Sequence, residues 1–284
     1  MKKLFLAVAL LATSMVASAQ FAAGNGGSSF GSSSVSGHNS FYVQYNSFGT
    51  GEYGEEYAET MEDLEDYLED MDNENVEIAW RTRLNGLTIG YNHAFGITPS
   101  VPLFVEFGAG LTYAWANVYE QTNERYDEYA CGDDFSTTVK EISQHLLVNV
   151  PINLMYKFQL PNSSITLEPY VGLNLRGHIL GRLKTKYTYE ACCDDMEDYL
   201  EEEIEDIDED DLICDYFDKD DVDERWDTKK TATRFNVGWQ IGVNADLGQA
   251  FVGISYGSDF NNYAKWDGEE VKLNAVNVTV GLRF

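Results

Sequence analysis

"RFNVGWQIGVNADL", residues 234 to 247, alternates without a break. Phe235, Val237, Trp239, Ile241, Val243, Ala245 and Leu247 take one side of an extended chain, and Arg234, Asn236, Gly238, Gln240, Gly242, Asn244 and Asp246 the other, because successive side chains of a strand point to opposite faces. A period of two sustained over this length specifies a strand with one buried face. Which face is buried is settled by the polar one. A face turned to water is dense in Lys and Glu, whereas this one is Gly, Asn and Gln with one charge of each sign at its ends. Such small, mixed residues suit a narrow, self-neutralising interior, and the apolar face then looks toward lipid.

The same pattern recurs along the chain. Leu103, Val105, Phe107, Ala109, Leu111, Tyr113 and Trp115 oppose Phe104, Glu106, Gly108, Gly110, Thr112 and Ala114, and Val276, Val278, Val280, Leu282 and Phe284 oppose Asn277, Thr279, Gly281 and Arg283. Eight segments read as strands, at about 40–48, 84–95, 102–117, 143–160, 164–182, 233–247, 249–258 and 270–284. The links after the second, fourth and sixth are turn-like: Gly96-Ile97-Thr98-Pro99-Ser100, Pro161-Asn162-Ser163 and Leu247-Gly248-Gln249. The others are long, at about 49–83, 118–142, 183–232 and 259–269. In an antiparallel up-and-down barrel, odd and even links emerge at opposite ends, so one end carries turns and the other loops. Aromatics fall at both ends of the apolar face, as they do at the two interfaces of membrane barrels. Tyr113, Trp115, Phe235 and Tyr256 mark the loop end; Phe41, Phe95, Tyr156, Phe158 and Phe284 mark the turn end.

The chain opens with Lys2 and Lys3, an apolar run from Leu4 to Val16, and Ala17-Ser18-Ala19. This is the pattern of a cleaved secretory signal over 1–19, followed by a flexible Gly- and Ser-rich leader over 20–38. The run is shorter than the roughly 20 residues a spanning helix needs. The expected organisation is therefore a signal peptide, a leader and a barrel over 39–284.

The net charge of −29 is concentrated. Residues 52–77 hold 13 acids and no base, and residues 194–227 hold 20 acids against Lys219 and Arg225. What remains is near neutral, so the acidity belongs to two inserts. Such charge excludes nucleic acid as a partner, since phosphate backbones need cationic surfaces. In the first insert Tyr57, Met61, Leu64, Leu68 and Met71 share a helical face, and Met196, Leu200, Ile204 and Ile207 do so in the second. Asp206, Asp208 and Asp210 have the opening spacing of an EF-hand, but Asp211 takes the glycine position and Phe217 the bidentate glutamate position, so the motif fails. Loose condensation of divalent cations is the expectation there, with no cofactor and no metal ligand set.

Cys131, Cys192, Cys193 and Cys214 all lie in or beside the inserts. In an oxidising compartment they are candidates for two disulfides, in any of three connectivities. A zinc site would need a C-x2-C spacing that is missing. Glu106, Lys157, Glu168, Arg176, Arg234 and Arg283 fall on polar faces and are expected to form a charge network in the lumen, since buried charges survive by pairing. His145 and His178 share that inward parity, whereas His38 lies in the leader and His93 faces lipid. No Ser/His/Asp order or G-x-S-x-G element accompanies them, so no catalytic residue is expected. Arg182, Lys184, Lys186, Lys229 and Lys230 flank the second insert, where a basic collar meets lipid phosphates.

The signal, eight strands, short-turn and long-loop asymmetry and final Phe284 resemble the bacterial outer-membrane β-barrel family, in particular its small eight-stranded OmpX- or OmpA-type, porin-like group. The resemblance covers residues 39–284 apart from the acidic inserts. It implies an all-β fold, an eight-stranded antiparallel up-and-down transmembrane β-barrel with short helices in long acidic extracellular loops. It also implies that both mature termini are periplasmic and that Val276, Val278, Val280, Leu282 and Phe284 form the signal read by the outer-membrane assembly machinery. The resulting expectation is a non-enzymatic protein of the cell outer membrane, whose partners are outer-membrane lipids, that machinery and an unidentified surface partner. A narrow pore for ions or small solutes is the alternative, and a membrane-embedded enzyme the third reading.

Overall fold

The structure is a computed structural model describing residues 37–50, 52–70, 76–98, 101–127, 133–161, 163–191, 193, 197, 212–226, 232–266 and 269–284. The second helical stripe, from Met196 to Ile207, lies outside the described residues, as do Met71, Cys131, Cys192, Lys229 and Lys230.

Eight long strands form the barrel: β1 His38–Gly49, β2 Arg83–Thr98, β3 Val101–Asp127, β4 Asp133–Tyr156, β5 Thr166–Glu190, β6 Phe235–Asp246, β7 Ala250–Asp259 and β8 Asn274–Arg283. Each pairs antiparallel with its neighbours in sequence, and β8 returns to β1. An even number of alternating strands closes this way, and closure satisfies every backbone group without an exposed edge. The seam runs from Ser40 opposite Arg283 to Gly49 opposite Asn274. It is finished by reciprocal bonds between the backbones of Asn39 and Phe284, both 3.0 Å.

The burial is inside out, as the polar faces predict. Thr88, Thr112, Asn46, Asn236, Glu168 and Arg176 are fully buried, while Ile89, Val278, Ile254, Ile241 and Val171 are each more than half or about half exposed. The apolar residues form a band around all eight strands, which in water would be an aggregation surface. Every aromatic expected in the two girdles is exposed on the outer wall. Phe284 stacks on Phe41 with ring centroids 5.5 Å apart.

Small residues make the lumen passable to large ones. Tyr42 lies across the interior over Gly90, where a Cβ would come within 2.3 Å of its ring, and over Gly110. Gly90→Val therefore overpacks the lumen and costs about 1–3 kcal/mol, read as a lower denaturant midpoint of the barrel in detergent micelles. At the turn between β6 and β7, Gly248 adopts a φ of 104°, open to glycine at little cost, and its N–H donates to Asp246 Oδ1 at 2.8 Å.

Three strands run past their expected bounds. β3, β4 and the second half of β5 continue as a ribbon, so 118–127 and 133–142 are sheet. At about 3.3 Å per residue, the ten residues beyond Asn117 in β3 reach roughly 30 Å past the barrel rim. The strand Val76–Trp80 adds to the edge of β3. The helix α1, Glu52–Asp70, sets Tyr57 edge-on to Trp80 at 6.5 Å and buries Met61, whereas Leu64 stays exposed. Of the described members of the expected stripe, Tyr57 and Met61 are thus packed and Leu64 is not; the Leu68 side chain, like Met71, lies outside the described residues. A short helix, α2 Lys219–Trp226, is capped by Asp218, whose Oδ1 accepts from the Asp220 N–H at 2.9 Å. Asp220 and Asp221 sit in its first turn, where the helix dipole favours them.

Candidate functional site

The lumen is built in three tiers. At the turn end, Glu168 is fully buried and receives Lys157 Nζ at 2.9 Å and the fork of Arg283, which also pairs with Asp246. Lys157 further contacts His38 Nδ1 at 3.2 Å and lies 4.6 Å over the Phe104 ring. In the middle, Asn153 donates to Glu106 Oε1 at 3.0 Å, and Gln240 donates to Asn153 Oδ1 at 2.6 Å. The hydroxyls of Thr88 and Thr112 bond each other and take Asn46 and Asn149 as donors. At the loop end, Arg176 and Asp259 pair at 2.7 Å, both buried.

The expected charge network is thereby assembled in part. Lys157, Glu168 and Arg283 come together; Glu106 sits on the same inner wall, bonded to an amide; Arg176 pairs alone at the opposite end. Arg234 is a correction. It precedes β6, is exposed, and stacks its guanidinium 4.3 Å over Phe217, which packs on the loop core at the mouth, rather than joining the charge cluster. Asp246, Asp259 and His38 were not anticipated as network members. Strict parity along β6 and β7 points to the two acids, and extending those strands by one residue would have found Asp259. His38 is likewise the first residue of β1 rather than the end of the leader.

Above Arg176 the mouth is closed by folded loop. Leu183, Cys214, Tyr216, Val222, Tyr263, Val271 and Leu273 form a small hydrophobic core of their own. It rests on the inward histidines: His145 stacks on Tyr216 at 5.5 Å, and His178 meets Tyr263 at 5.0 Å. The cap is tied down by backbone bonds, including Tyr216 N–H to Gly181 C=O at 2.9 Å and Thr233 N–H to Tyr263 C=O at 2.6 Å. Burial pushes the Tyr263 phenol well above its ordinary value, so it stays neutral. Below the cap the lumen keeps an internal cavity of about 50 Å³ between Tyr42, Glu106, Asn153 and Tyr170, room for a few waters.

Ser143 Oγ lies 3.0 Å from His145 Nε2, the spacing of a nucleophile and its base. The rest of such a site does not follow. The same hydroxyl also bonds Tyr216, also at 3.0 Å, under the cap, and His145 Nδ1 has no hydrogen-bond partner among the described residues, whereas a catalytic histidine is oriented through that atom. His93 is half-buried on the outer wall and bonds Asn39 Oδ1 at 2.7 Å.

Arg182, Lys184 and Lys186 stand on the outer face of β5 above the apolar band, with Lys184 and Lys186 exposed. Cys214 is buried in the cap, its Sγ 3.7 Å from the Asp221 carbonyl, and Cys193 is half-buried. Among the described residues no group of three or more His, Cys, Asp or Glu is placed to hold a metal ion.

No protein-family model matches the chain, and no curated protein does. Among solved structures it is similar to Neisserial surface protein A, at 10% identity over 86% of this chain and 97% of that one, with a TM-score of 0.30. It is also similar to Ail, the attachment invasion locus protein of Yersinia pestis, at 10% identity over 88% and 99%, with a TM-score of 0.26. A third is the outer membrane protein OprG from Pseudomonas aeruginosa, at 8% identity over 88% and 96%, with a TM-score of 0.27. The fold assignment rests on the strand pairing and burial of the chain itself rather than on these likenesses.

Proposed function

We propose that this chain is a non-enzymatic outer-membrane barrel whose task is to hold a folded, acidic loop body at the cell surface, for interaction with an outside partner or for envelope support. The single observation carrying this reading is the cap: a second core, built only from loop residues and the Leu183 end of β5, seated on a lumen already filled by its own side chains. Loops that merely connect strands have no need of a core. The turn end, with both strand termini of the seam, then faces the periplasm, and the disulfide pairing of the four cysteines and loose divalent-cation binding at the acidic inserts belong to the same proposal. By the resemblance to outer-membrane barrels, the β8 residues Val276 to Phe284 would serve as the assembly signal.

The narrow-pore reading draws on the polar lumen and its small cavity. Planar bilayers separate the two. The purified barrel is expected to be electrically silent, because ions would have to cross the Arg176–Asp259 pair and then the cap; steady unitary conductance would replace the display reading with the pore. Crosslinking on intact cells searches for the partner, and acidic loops that a membrane-impermeant carboxylate-reactive crosslinker fails to label on intact cells would argue against display.

A further inference from the structure

The outer wall across β2, β3 and β4 is hollowed by an open groove of about 520 Å³. Ile89 and Leu111 line its lowest row, Leu87, Tyr113 and Leu146 the next, and Trp115, Gln144 and Ile142 its upper part toward the loop end. Tyr113 and Trp115 stack at 5.6 Å, a rigid aromatic lip at the loop-end girdle. The register places cations level with and above this lip, two strands away on β5. Trp115 is level with Gln144 and Gln144 with Arg182; one row further out, Asn117 is level with Ile142 and Ile142 with Lys184; in the next, Glu120, Lys140 and Lys186 align. Lys140 is matched by Glu120 at 2.7 Å, and Arg182 is steadied by Gln144, Nε to Oε1 at 2.9 Å. The residue that turns these cations outward is Ile179. Leu147 pairs with His178 while Leu146 pairs with Leu180, so Ile179 is an extra residue in β5 and the parity reverses. Before it, Glu168, Arg176 and His178 point inward; after it, the even positions Arg182, Lys184 and Lys186 point outward.

We propose that this groove is a binding site for one anionic membrane lipid, an acyl chain lying along its lower rows and the headgroup phosphate held by Arg182 and Lys184. The inference rests on the membrane-spanning reading of the barrel. It selects a lipid because the groove lies in the apolar band, where acyl chains are the solvent. It selects an anionic one because four outward cations in these rows, Lys140, Arg182, Lys184 and Lys186, face only two carboxylates among the described residues, Glu120 and Asp215, the latter level with Arg182 on its other side, and basic residues near a membrane surface favour anionic lipid.

The test uses the full chain with Trp80, Trp226, Trp239 and Trp266 replaced by Phe, leaving Trp115 as the reporter, reconstituted in vesicles containing brominated phosphatidylglycerol or brominated phosphatidylcholine. Retained β-sheet circular dichroism confirms that the four-Phe chain folds. Quenching of Trp115 is expected to give a relative binding constant roughly tenfold in favour of phosphatidylglycerol, falling to about one in Arg182→Gln/Lys184→Gln/Lys186→Gln. Equal constants in the parent, or a preference that survives the triple substitution, overturns the site. Relief of the preference by excess inorganic phosphate also overturns it, by showing a site for a bare anion only. Absence of quenching by either lipid removes the membrane-spanning reading itself, an outcome distinct from equal quenching by both.

Discussion

Glu168→Gln is expected to lower the unfolding free energy by about 3–5 kcal/mol, measured by guanidinium unfolding of the barrel in micelles with intrinsic fluorescence as the signal. The direction follows from what the substitution strands. Glu168 is fully buried and answers two cations, Lys157 and Arg283. Arg283 retains Asp246 after the change, but Lys157 is left with a histidine nitrogen and the face of Phe104. A mostly buried ammonium, 18% exposed, without a counter-charge is the costly state, more than the loss of the hydrogen bonds themselves. Adding Lys157→Met to Glu168→Gln therefore recovers a large part of the loss, so the double-mutant cycle shows a coupling of more than about 1 kcal/mol. Additive effects would mean that solvent screens Lys157 from Glu168 in the native barrel, and the turn-end cluster would then not act as a coupled network.

Val278→Arg carries the second large effect, about 2–4 kcal/mol of destabilisation when unfolding is measured in lipid vesicles. Val278 is half exposed and sits in an outward row with Tyr45, Ile254 and Val243, between Tyr256 one row toward the loop end and Phe41 two rows toward the turn end. A cation there must cross apolar side chains in either direction to reach headgroups. The neighbouring position separates this cause from a general intolerance of the strand. Asn277 faces inward and donates to Ser255 at 3.0 Å, so Asn277→Ala loses only a hydrogen bond, roughly 1 kcal/mol, and does so equally in lipid and in detergent. A Val278→Arg protein as stable as the parent in vesicles would place the apolar band against something other than acyl chains.

All eight strands were legible because a two-sided wall with lipid on one side and packed polar groups on the other forces strict alternation, as at Phe235 to Leu247. The ribbon was not legible for the same physical reason. Beyond Asn117 both faces of β3 meet water or loop, so Tyr119-Glu120-Gln121-Thr122-Asn123 carries no apolar period, and a register shift between Asn117 and Tyr119 breaks what parity remains. The shift at Ile179 is equally silent in sequence, yet it decides that Arg182, Lys184 and Lys186 look outward. Pairs such as Arg176–Asp259 and Lys157–Glu168 cannot be read from parity alone, which assigns a face but not a height. The cap was hidden because Tyr216 and Val222 come from one link and Tyr263 and Val271 from another, each with its apolar residues sparse among carboxylates.

The seam between the first and last strands has a temporal consequence. Thr279 donates to Gln44 across 235 positions of chain, and none of the β1–β8 ladder can form before β8 has been made. Until then two strand margins stay unpaired, and nonlocal ladders of this kind close more slowly than pairings between neighbouring strands. A chain cut short before Asn274 would retain seven neighbouring strands and still be an open ribbon, ready to recruit another copy along its bare flank.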